Sequence, residues 1–206
     1  MTRLALIRHG PTNYNAQRRI QGRLDVPLSV QGRMKVRAYR VPPVLDGFDW
    51  FSSPLARATE TARLLAGDQV SIEERLLEMD WGTWEGRTLE KLRTELGREM
   101  QDNEDCGMDF RPEGGESPND VWHRVQPFLA DIAQGGRDTA AVTHKGVIRA
   151  VFAVATGWNM LGPPPQKLGW SCAHLFTVGE QGHPEVLAIN LALTEKAPTT
   201  ERIGQT

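Results

Sequence analysis

Short apolar runs and amphipathic segments alternate along this chain of 206 residues. Residues 3–8 (RLALIR) form an apolar run that stops just before Gly and Pro, which predicts a buried strand leading into a loop. Residues 47–53 (GFDWFSS) predict a second strand, followed by Pro54, where a helix could begin. Residues 55–67 (LARATETARLLAG) carry small and apolar side chains at helical spacing, with Gly67 as a stop. Together these segments predict a strand, a turn and a helix.

The second half of the chain repeats this pattern. Residues 138–144 (DTAAVTH) predict a strand, and residues 146–157 (GVIRAVFAVATG) predict a buried helix because they are almost entirely apolar. Before them, residues 117–134 predict an amphipathic helix, with Ser117 as its cap and Pro118 at its first position. The repeated order of strand and helix predicts an α/β fold, a three-layer αβα sandwich with a mostly parallel central sheet.

Three further segments complete the predicted organisation. Residues 170–178 and 184–191 predict two strands that close the sheet around a turn. Residues 97–116 are rich in Gly, Asp and Pro, and we expect them to form an exposed loop over one end of the sheet. We expect a single domain over residues 1–206, with a frayed tail from about residue 196.

Composition narrows the classes of partner. The chain carries 24 Lys and Arg against 26 Asp and Glu, a net charge of -2, so it has no general attraction for nucleic acid or acidic membranes. Its two cysteines, Cys106 and Cys172, have neither disulfide-framework nor zinc-ligand spacing, which favours a reducing compartment. The apolar run at 4–7 is too short for a signal peptide or a membrane span. We therefore expect a cytoplasmic protein and leave its oligomeric state open, a homodimer included.

Four candidate side chains stand at or just beyond the ends of predicted strands: Arg8 and His9 at the first, Arg57 beyond the second and His144 at a later one. The carboxyl ends of parallel strands lie at one edge of a sheet, so we expect these side chains to meet. Two guanidiniums suit a phosphate or carboxylate, and the segment from Gly10 offers backbone amides. Neighbouring cations keep an imidazole neutral and nucleophilic. The set suits phosphoryl transfer.

A proton donor is expected in residues 76–86 (LLEMDWGTWEG). Glu78, Asp80 and Glu85 are the candidates, and the two tryptophans of this segment could desolvate a carboxyl and raise its pKa. Residue types alone do not choose among the three, because Asp80 and Glu85 could equally be solvated turn residues. A zinc site using both histidines is disfavoured, since the adjacent guanidiniums would repel a metal ion.

Residues 8–15 (RHGPTNYN) resemble the signature of the histidine phosphatase superfamily, which includes cofactor-dependent phosphoglycerate mutases and acid phosphatases. The resemblance continues, in the order of the family, through RIQGRLDVPLS, SSPLARATETA, LLEMDWGTWEG, PEGGES and VTHKG. These blocks span most of the chain between residue 3 and about residue 157. The resemblance implies a phosphoglycerate mutase-like fold.

The resemblance also implies a role for each matching residue. His9 would be the nucleophile that becomes phosphohistidine, Arg8, Arg57 and His144 would bind the phosphoryl oxygens, and Glu78 would donate the proton. The phosphate pocket would be lined by Gly10, Thr12, Asn15, Gln21 and Gly22. Water would then hydrolyse the phosphohistidine, and the reaction would need neither a metal nor another cofactor.

Two positions depart from the family pattern. Lys145 stands where many members have Gly, and it either contacts a charge on the substrate or points outward. We favour the outward orientation and keep Lys145 among the substrate-binding candidates. Pro11 replaces a common Glu or Gln and only fixes the backbone before the helical stretch.

Hydrolysis is the favoured activity within this family. The chain lacks the extended basic, tyrosine-containing segment that keeps water from the phosphoenzyme in the mutases. Mutase activity and a catalytically silent phospho-ligand-binding domain are the alternatives, and the complete set of candidate residues disfavours the silent one. The substrate that the resemblance implies is a small-molecule phosphomonoester. Residues 97–116 and 158–168, which are expected to cover the pocket, do not identify its alcohol.

Overall fold

A computed structural model describes residues 1–195 of the chain, so the predicted frayed tail from residue 196 lies outside the described residues. The strands of this part are β1 Thr2–Arg8, β2 Tyr39–Arg40, β3 Asp49–Ser52, β4 Val70–Ile72, β5 Thr139–Thr143, β6 Cys172–Val178, β7 Pro184–Ala192 and β8 Thr194–Glu195. Its α-helices are α1 Asn13–Ala16, α2 Val30–Ala38, α3 Ala56–Ala66, α4 Leu89–Leu96, α5 Arg98–Glu104, α6 Pro118–Gly135 and α7 Lys145–Thr156.

The main sheet has the strand order β4-β3-β5-β1-β6-β7. Strands β4, β3, β5 and β1 are parallel to their neighbours in this series, whereas β6 and β7 are antiparallel. Strands β2 and β8 pair separately in a small second sheet. The mostly parallel sheet confirms the predicted fold class, and its order places the ends of β3, β5 and β1 side by side.

Strand β1 lies between the two helical layers and is buried along its middle. Leu4 and Leu6 pack into the core formed with α6 and α7, and Ala5 and Ile7 pack into the core formed with α2 and α3. Successive side chains of a strand point to opposite faces, so β1 contributes to both cores. Full burial of each leucine contributes about 1.5–3 kcal/mol. The three-layer arrangement predicted from the sequence is confirmed.

The predicted helix ends agree with the structure to within two residues. The hydroxyl of Ser117 accepts the amide of Asp120, whose carboxylate accepts the amide of Ser117, and this capping box begins α6. Gly67 ends α3 as predicted. Helix α3 begins at Ala56, two residues after Pro54, so the prediction that Pro54 begins it was slightly early.

The predicted loop at 97–116 was wrong in part. It contains α5 and a 3₁₀ turn at Gly107–Asp109, and with α4 it forms a cap, defined here as residues 89–110. Met100 and Leu92 of the cap are buried against Ile20 and Trp84 in a small core of their own. The polar residues that suggested a loop are exposed or half-buried on these short helices. Helices α2 and α4 were not predicted.

Candidate active site

A cavity of about 660 Å³ opens at the carboxyl ends of the parallel strands, beneath the cap. Eight of the sequence candidates line it, namely Arg8, His9, Asn15, Gln21, Gly22, Arg57, Glu78 and Lys145. Gly10, Thr12 and His144 do not line it. The order of the strands explains this convergence, because β3, β5 and β1 are adjacent and parallel.

His9 directly follows β1 and is held in a fixed orientation. Its amide donates to the carbonyl of Thr143 at 3.0 Å, and its Nδ1 lies 2.7 Å from the carbonyl oxygen of Gly10. A carbonyl oxygen only accepts, so Nδ1 carries the proton and Nε2 keeps its lone pair. Burial, together with the charges of Arg8 and Arg57, lowers the pKa of His9 well below its usual value. The imidazole is therefore neutral and suited to nucleophilic attack.

His144 is completely buried beside His9, with 5.1 Å between the two ring centroids. Its Nε2 lies 2.7 Å from the hydroxyl oxygen of Ser53, which also accepts the amide of Leu55. Within the described residues its Nδ1 is buried without a hydrogen-bond partner. Burial and the nearby arginines lower the pKa of His144 well below its usual value. If the hydroxyl of Ser53 donates to Nε2, then Nδ1 carries the proton and is free to donate to a ligand.

The two guanidiniums differ in how they are held. Arg57 is fully buried and donates from Nη1 to the carbonyl of Leu24 and from Nη2 to the carbonyl of Gly22, each at 2.7 Å. Arg8 forms no side-chain hydrogen bond with the described residues and packs on the ring of Trp170, 5.3 Å from its centroid. Because a guanidinium has five N–H groups, both arginines retain donors for an anion.

Glu78 is the one acidic candidate among the three that lines the cavity. Its Oε1 accepts the amides of Met79 at 2.9 Å and Gly146 at 3.0 Å. Burial raises the pKa of Glu78, although these amides and the nearby arginines oppose the rise. The protonated form is thus more accessible than in an ordinary glutamate, and Oε2 is the oxygen left to carry the proton. This is the environment expected of a general acid.

Asp80 and Glu85 stabilise the backbone instead. Asp80 accepts the amide of Gly82 at 2.8 Å. Glu85 accepts the amides of Arg23 at 2.6 Å and Leu24 at 3.1 Å, and so holds the loop that follows Gln21. Glu78 therefore lies in the cavity, whereas Asp80 and Glu85 hold backbone amides. Residue types alone did not distinguish these three carboxyls.

Thr12 is buried and acts through its neighbours. Its hydroxyl accepts the amide of Asn15, whose side-chain oxygen accepts the amide of Thr12, and this capping box begins α1. The same hydroxyl lies 2.9 Å from the side-chain oxygen of Gln21, to which it donates. Thr12 thus orients two side chains of the cavity wall without lining the wall itself.

Gly10 has a different role from the one expected. Its amide donates to the hydroxyl of Thr61 at 2.9 Å and is not free for a ligand. A Cβ at this position would lie 2.4 Å from Cγ2 of Val36, so Gly10 is required where β1 meets α2. The structure thus shows Gly10 in close packing between two elements, where its amide is already bonded, and not on the wall of the cavity.

Lys145 lies on the wall of the cavity, so the preferred outward orientation was wrong. The sequence also missed Arg124, which appeared to be an ordinary polar residue of α6. Its guanidinium donates to the carbonyls of Arg75, Leu77 and Glu78 at 2.6–3.1 Å. Arg124 thereby fixes the segment that ends at Glu78, and no local pattern could have indicated these contacts.

Replacing Gly146 by alanine is expected to lower kcat for phosphomonoester hydrolysis about 10- to 100-fold, because displacement of a reacting group by about 1 Å has effects of this size. A Cβ at Gly146 would lie 2.4 Å from Oε1 of Glu78, so the carboxyl must move. Steady-state kinetics would measure the loss. Gly135→Ala is the matched control, because a Cβ there meets nothing within 4 Å. Equal kcat in the two variants would contradict the expected displacement.

Residues 1–195, the part of the chain that the structure describes, contain neither a metal-binding cluster nor a membrane-spanning helix. In this range no group of three His, Cys, Asp or Glu side chains is arranged to hold a metal ion. None of the helices described there combines the length and the apolar character needed to cross a membrane.

Comparisons with known proteins agree on one family. The sequence profile of the histidine phosphatase superfamily (branch 1) matches residues 4–191. The chain is 36% identical over 184 residues to the glucosyl-3-phosphoglycerate phosphatase of Mycolicibacterium vanbaalenii, a match that covers 78% of this chain and 79% of the relative.

Solved structures give the same result. A mycobacterial glucosyl-3-phosphoglycerate phosphatase in complex with VO3 matches with a TM-score of 0.78 and 27% identity, over 93% of this chain and 100% of the other. The phosphoserine phosphatase of Entamoeba histolytica in complex with 3-phosphoglyceric acid matches with a TM-score of 0.75 and 30% identity, over 92% and 97% of the two chains. The resemblance identified from the sequence is confirmed.

Proposed function

Because this chain belongs to the histidine phosphatase superfamily and is a phosphoric monoester hydrolase, we propose that His9 is its nucleophile and carries the phosphoryl group as phosphohistidine. The observation that carries this proposal is the state of His9: buried, neutral, with Nε2 unprotonated, beside two guanidiniums that retain donors. His9 and the two guanidiniums, those of Arg8 and Arg57, line the same cavity. This combination meets the requirements of phosphoryl transfer, which are in-line positioning and neutralisation of charge.

The reaction has two steps. In the first, Nε2 of His9 attacks phosphorus, the bond to the ester oxygen breaks, and the proton on Oε2 of Glu78 passes to that oxygen. Arg8, Arg57 and Nδ1 of His144 donate to the equatorial oxygens throughout. In the second step, Glu78, now a carboxylate, accepts a proton from water as the water oxygen attacks phosphorus. The phosphohistidine bond breaks, and neutral His9 and inorganic phosphate are released.

The substrate is a small phosphorylated molecule, as it is for the relatives named above. A cavity of about 660 Å³ is much larger than a phosphoryl group, so it also holds a sizeable alcohol. The cavity is partly open to solvent, because exposed side chains such as Arg93, Gln101 and Asp105 are among those that line it. Open access for water supports hydrolysis over transfer of the phosphoryl group to a second alcohol.

We also propose a cytoplasmic location. Cys106 and Cys172 are both free thiols, and free thiols persist most readily in a reducing compartment. The proposal adds nothing to the chemistry of the site, which uses neither cysteine.

Hydrolysis of p-nitrophenyl phosphate tests the proposed function. The purified protein is expected to turn it over, and activity after treatment with EDTA should stay within about twofold, because no step depends on a metal. Protein incubated with ³²P-labelled substrate and quenched in base should carry a protein-bound label that is released on acidification, as expected for phosphohistidine.

The opposite outcomes have distinct meanings. Binding of phosphate or vanadate without hydrolysis of any phosphomonoester would identify a catalytically silent binding domain. Loss of activity in EDTA that zinc restores would contradict the metal-independent mechanism.

A further inference from the structure

Two cations of α7 face the cavity and take no part in the mechanism above. Lys145 and Arg149 are four residues apart and therefore lie on one face of the helix, and both line the cavity. Lys145 is exposed to the cavity and Arg149 is half-buried. Within the part of the chain that the structure describes, neither side chain forms an ion pair or a hydrogen bond. Like charges at this spacing destabilise a helix, so the pair has no evident structural purpose.

Both cations are held against aromatic rings. Nζ of Lys145 lies 5.6 Å from the ring centroid of Trp170, and Cζ of Arg149 lies 4.7 Å from that of Trp158. Contacts of this kind stabilise a cation without neutralising its charge. Both side chains are therefore oriented but remain available to an anion.

Two other arginines of the cavity are held by partners. Arg93 of the cap bonds to Glu104 at 2.7 Å, and Arg57 is held by backbone carbonyls. Burial and the charges of Arg149 and Arg8 lower the pKa of Lys145, and burial also lowers the pKa of Arg149. Among the described residues, none of Lys145, Arg149 and Arg8 forms an ion pair, so this part of the cavity carries unpaired positive charge.

We propose that Lys145 and Arg149 form a subsite for a second anionic group of the substrate, a carboxylate or a second phosphate. This assignment rests on the proposed function. It specifies that the substrates are phosphomonoesters with anionic groups at two positions. The subsite adjoins the phosphoryl site, because Lys145 directly follows His144 and precedes Gly146, which bonds to Glu78. Arginine supplies a planar pair of donors and lysine a compact charge, a combination that suits either anion.

Matched substrate pairs test the subsite. The pair 3-phosphoglycerate and glycerol 3-phosphate differs by a carboxylate, and the pair fructose 1,6-bisphosphate and fructose 6-phosphate differs by a phosphate. We expect the wild type to favour the doubly anionic member of at least one pair by about tenfold or more in kcat/KM, the range expected for a charge-assisted pair. Lys145→Gln and Arg149→Gln should each reduce this ratio about tenfold, mainly through a higher KM for the doubly anionic member.

Two further variants separate a charge effect from a structural one. Lys91→Gln removes the same charge from an exposed position of the cap that does not line the cavity, and its ratio should equal that of the wild type. Arg149→Lys keeps the charge and should restore part of the preference, even if Arg149→Gln folds poorly.

The outcomes distinguish the subsite from the proposed function. Equal kcat/KM within both pairs in the wild type, or the same ratio in Lys145→Gln, Arg149→Gln and Lys91→Gln, would overturn the subsite while hydrolysis stands. Failure to hydrolyse even p-nitrophenyl phosphate would overturn the proposed function instead. In that case the affinities for the same pairs, measured by calorimetry, test the subsite. Tighter binding of the doubly anionic member that is lost in both glutamine variants supports the subsite. Equal binding of the two members overturns it.

Discussion

Replacing His9 by asparagine is expected to lower kcat on the order of 10⁴-fold or more, the loss typical of removing a nucleophile. Asparagine is close to histidine in size and retains an amide that can donate to the carbonyl of Gly10, where Nδ1 of His9 donates now. What it lacks is a neutral ring nitrogen able to bond to phosphorus. The loss should therefore fall on catalysis and leave the fold intact.

Kinetics with p-nitrophenyl phosphate and retention of ³²P on quenched protein would measure this effect. The variant should show no protein-bound label, and its thermal unfolding should remain cooperative. His123→Asn is the matched control, because His123 is exposed on α6 and does not line the cavity. Labelled protein in the absence of His9 would assign the nucleophile to another residue.

Replacing Glu78 by glutamine is expected to lower kcat about 10²- to 10⁴-fold for alkyl phosphates, the usual contribution of a general acid. A glutamine oxygen can still accept the amides of Met79 and Gly146, so the segment should keep its position. It has no acidic proton to give to the departing alkoxide. The loss should be smaller for p-nitrophenyl phosphate, because nitrophenolate leaves without protonation and only the role of Glu78 as a base in the second step is lost.

The same substitution should change the dependence of the rate on pH. Burial raises the pKa of Glu78, so the carboxyl remains a proton donor at pH values where an ordinary glutamate has lost its proton. Wild-type hydrolysis of alkyl phosphates should fall as pH rises through this raised pKa, and Glu78→Gln should lack that decline. Glu180→Gln, in the exposed turn between β6 and β7, should leave both the rate and the decline unchanged. A decline that persists in Glu78→Gln would exclude Glu78 as the acid.

Much of the fold could be predicted because it depends on local patterns. Apolar runs that end at Gly or Pro identified the main strands, and the rule that parallel strands end at one edge brought Arg8, His9 and Arg57 into one cavity. The pairing of β5 with both β1 and β3 then places His144 beside His9. The prediction needed no knowledge of the loops, because strand order alone decides these positions.

The remainder depends on contacts between residues distant in sequence. Burial distinguishes Glu78 from Asp80 and Glu85, and the amide that holds the Glu78 carboxyl comes from Gly146, which is 68 residues away in the sequence. The rotation of α7 about its axis decides that Lys145 faces the cavity. The need for glycine at position 10 arises from Val36 of another helix. No pattern within a short stretch of sequence contains this information.

The short helices of residues 97–110 show another limit of sequence patterns. Their buried face amounts to little more than Met100, so most of the segment has the composition of a loop. An apolar stripe too short to repeat cannot be distinguished from isolated apolar residues.

The small core around Met100 separates the packing of the cap from the packing of the sheet. It is packed independently of the two cores that flank the sheet, and Trp81 and Phe110 are the side chains that contact both it and the core on α6 and α7. Substitutions on the inner surface of the cap, for example at Gln101 or Asp105, can therefore alter which alcohols fit without disturbing the packing that fixes His9. Enzymes descended from one ancestor can in this way acquire new substrates while the catalytic residues are inherited unchanged.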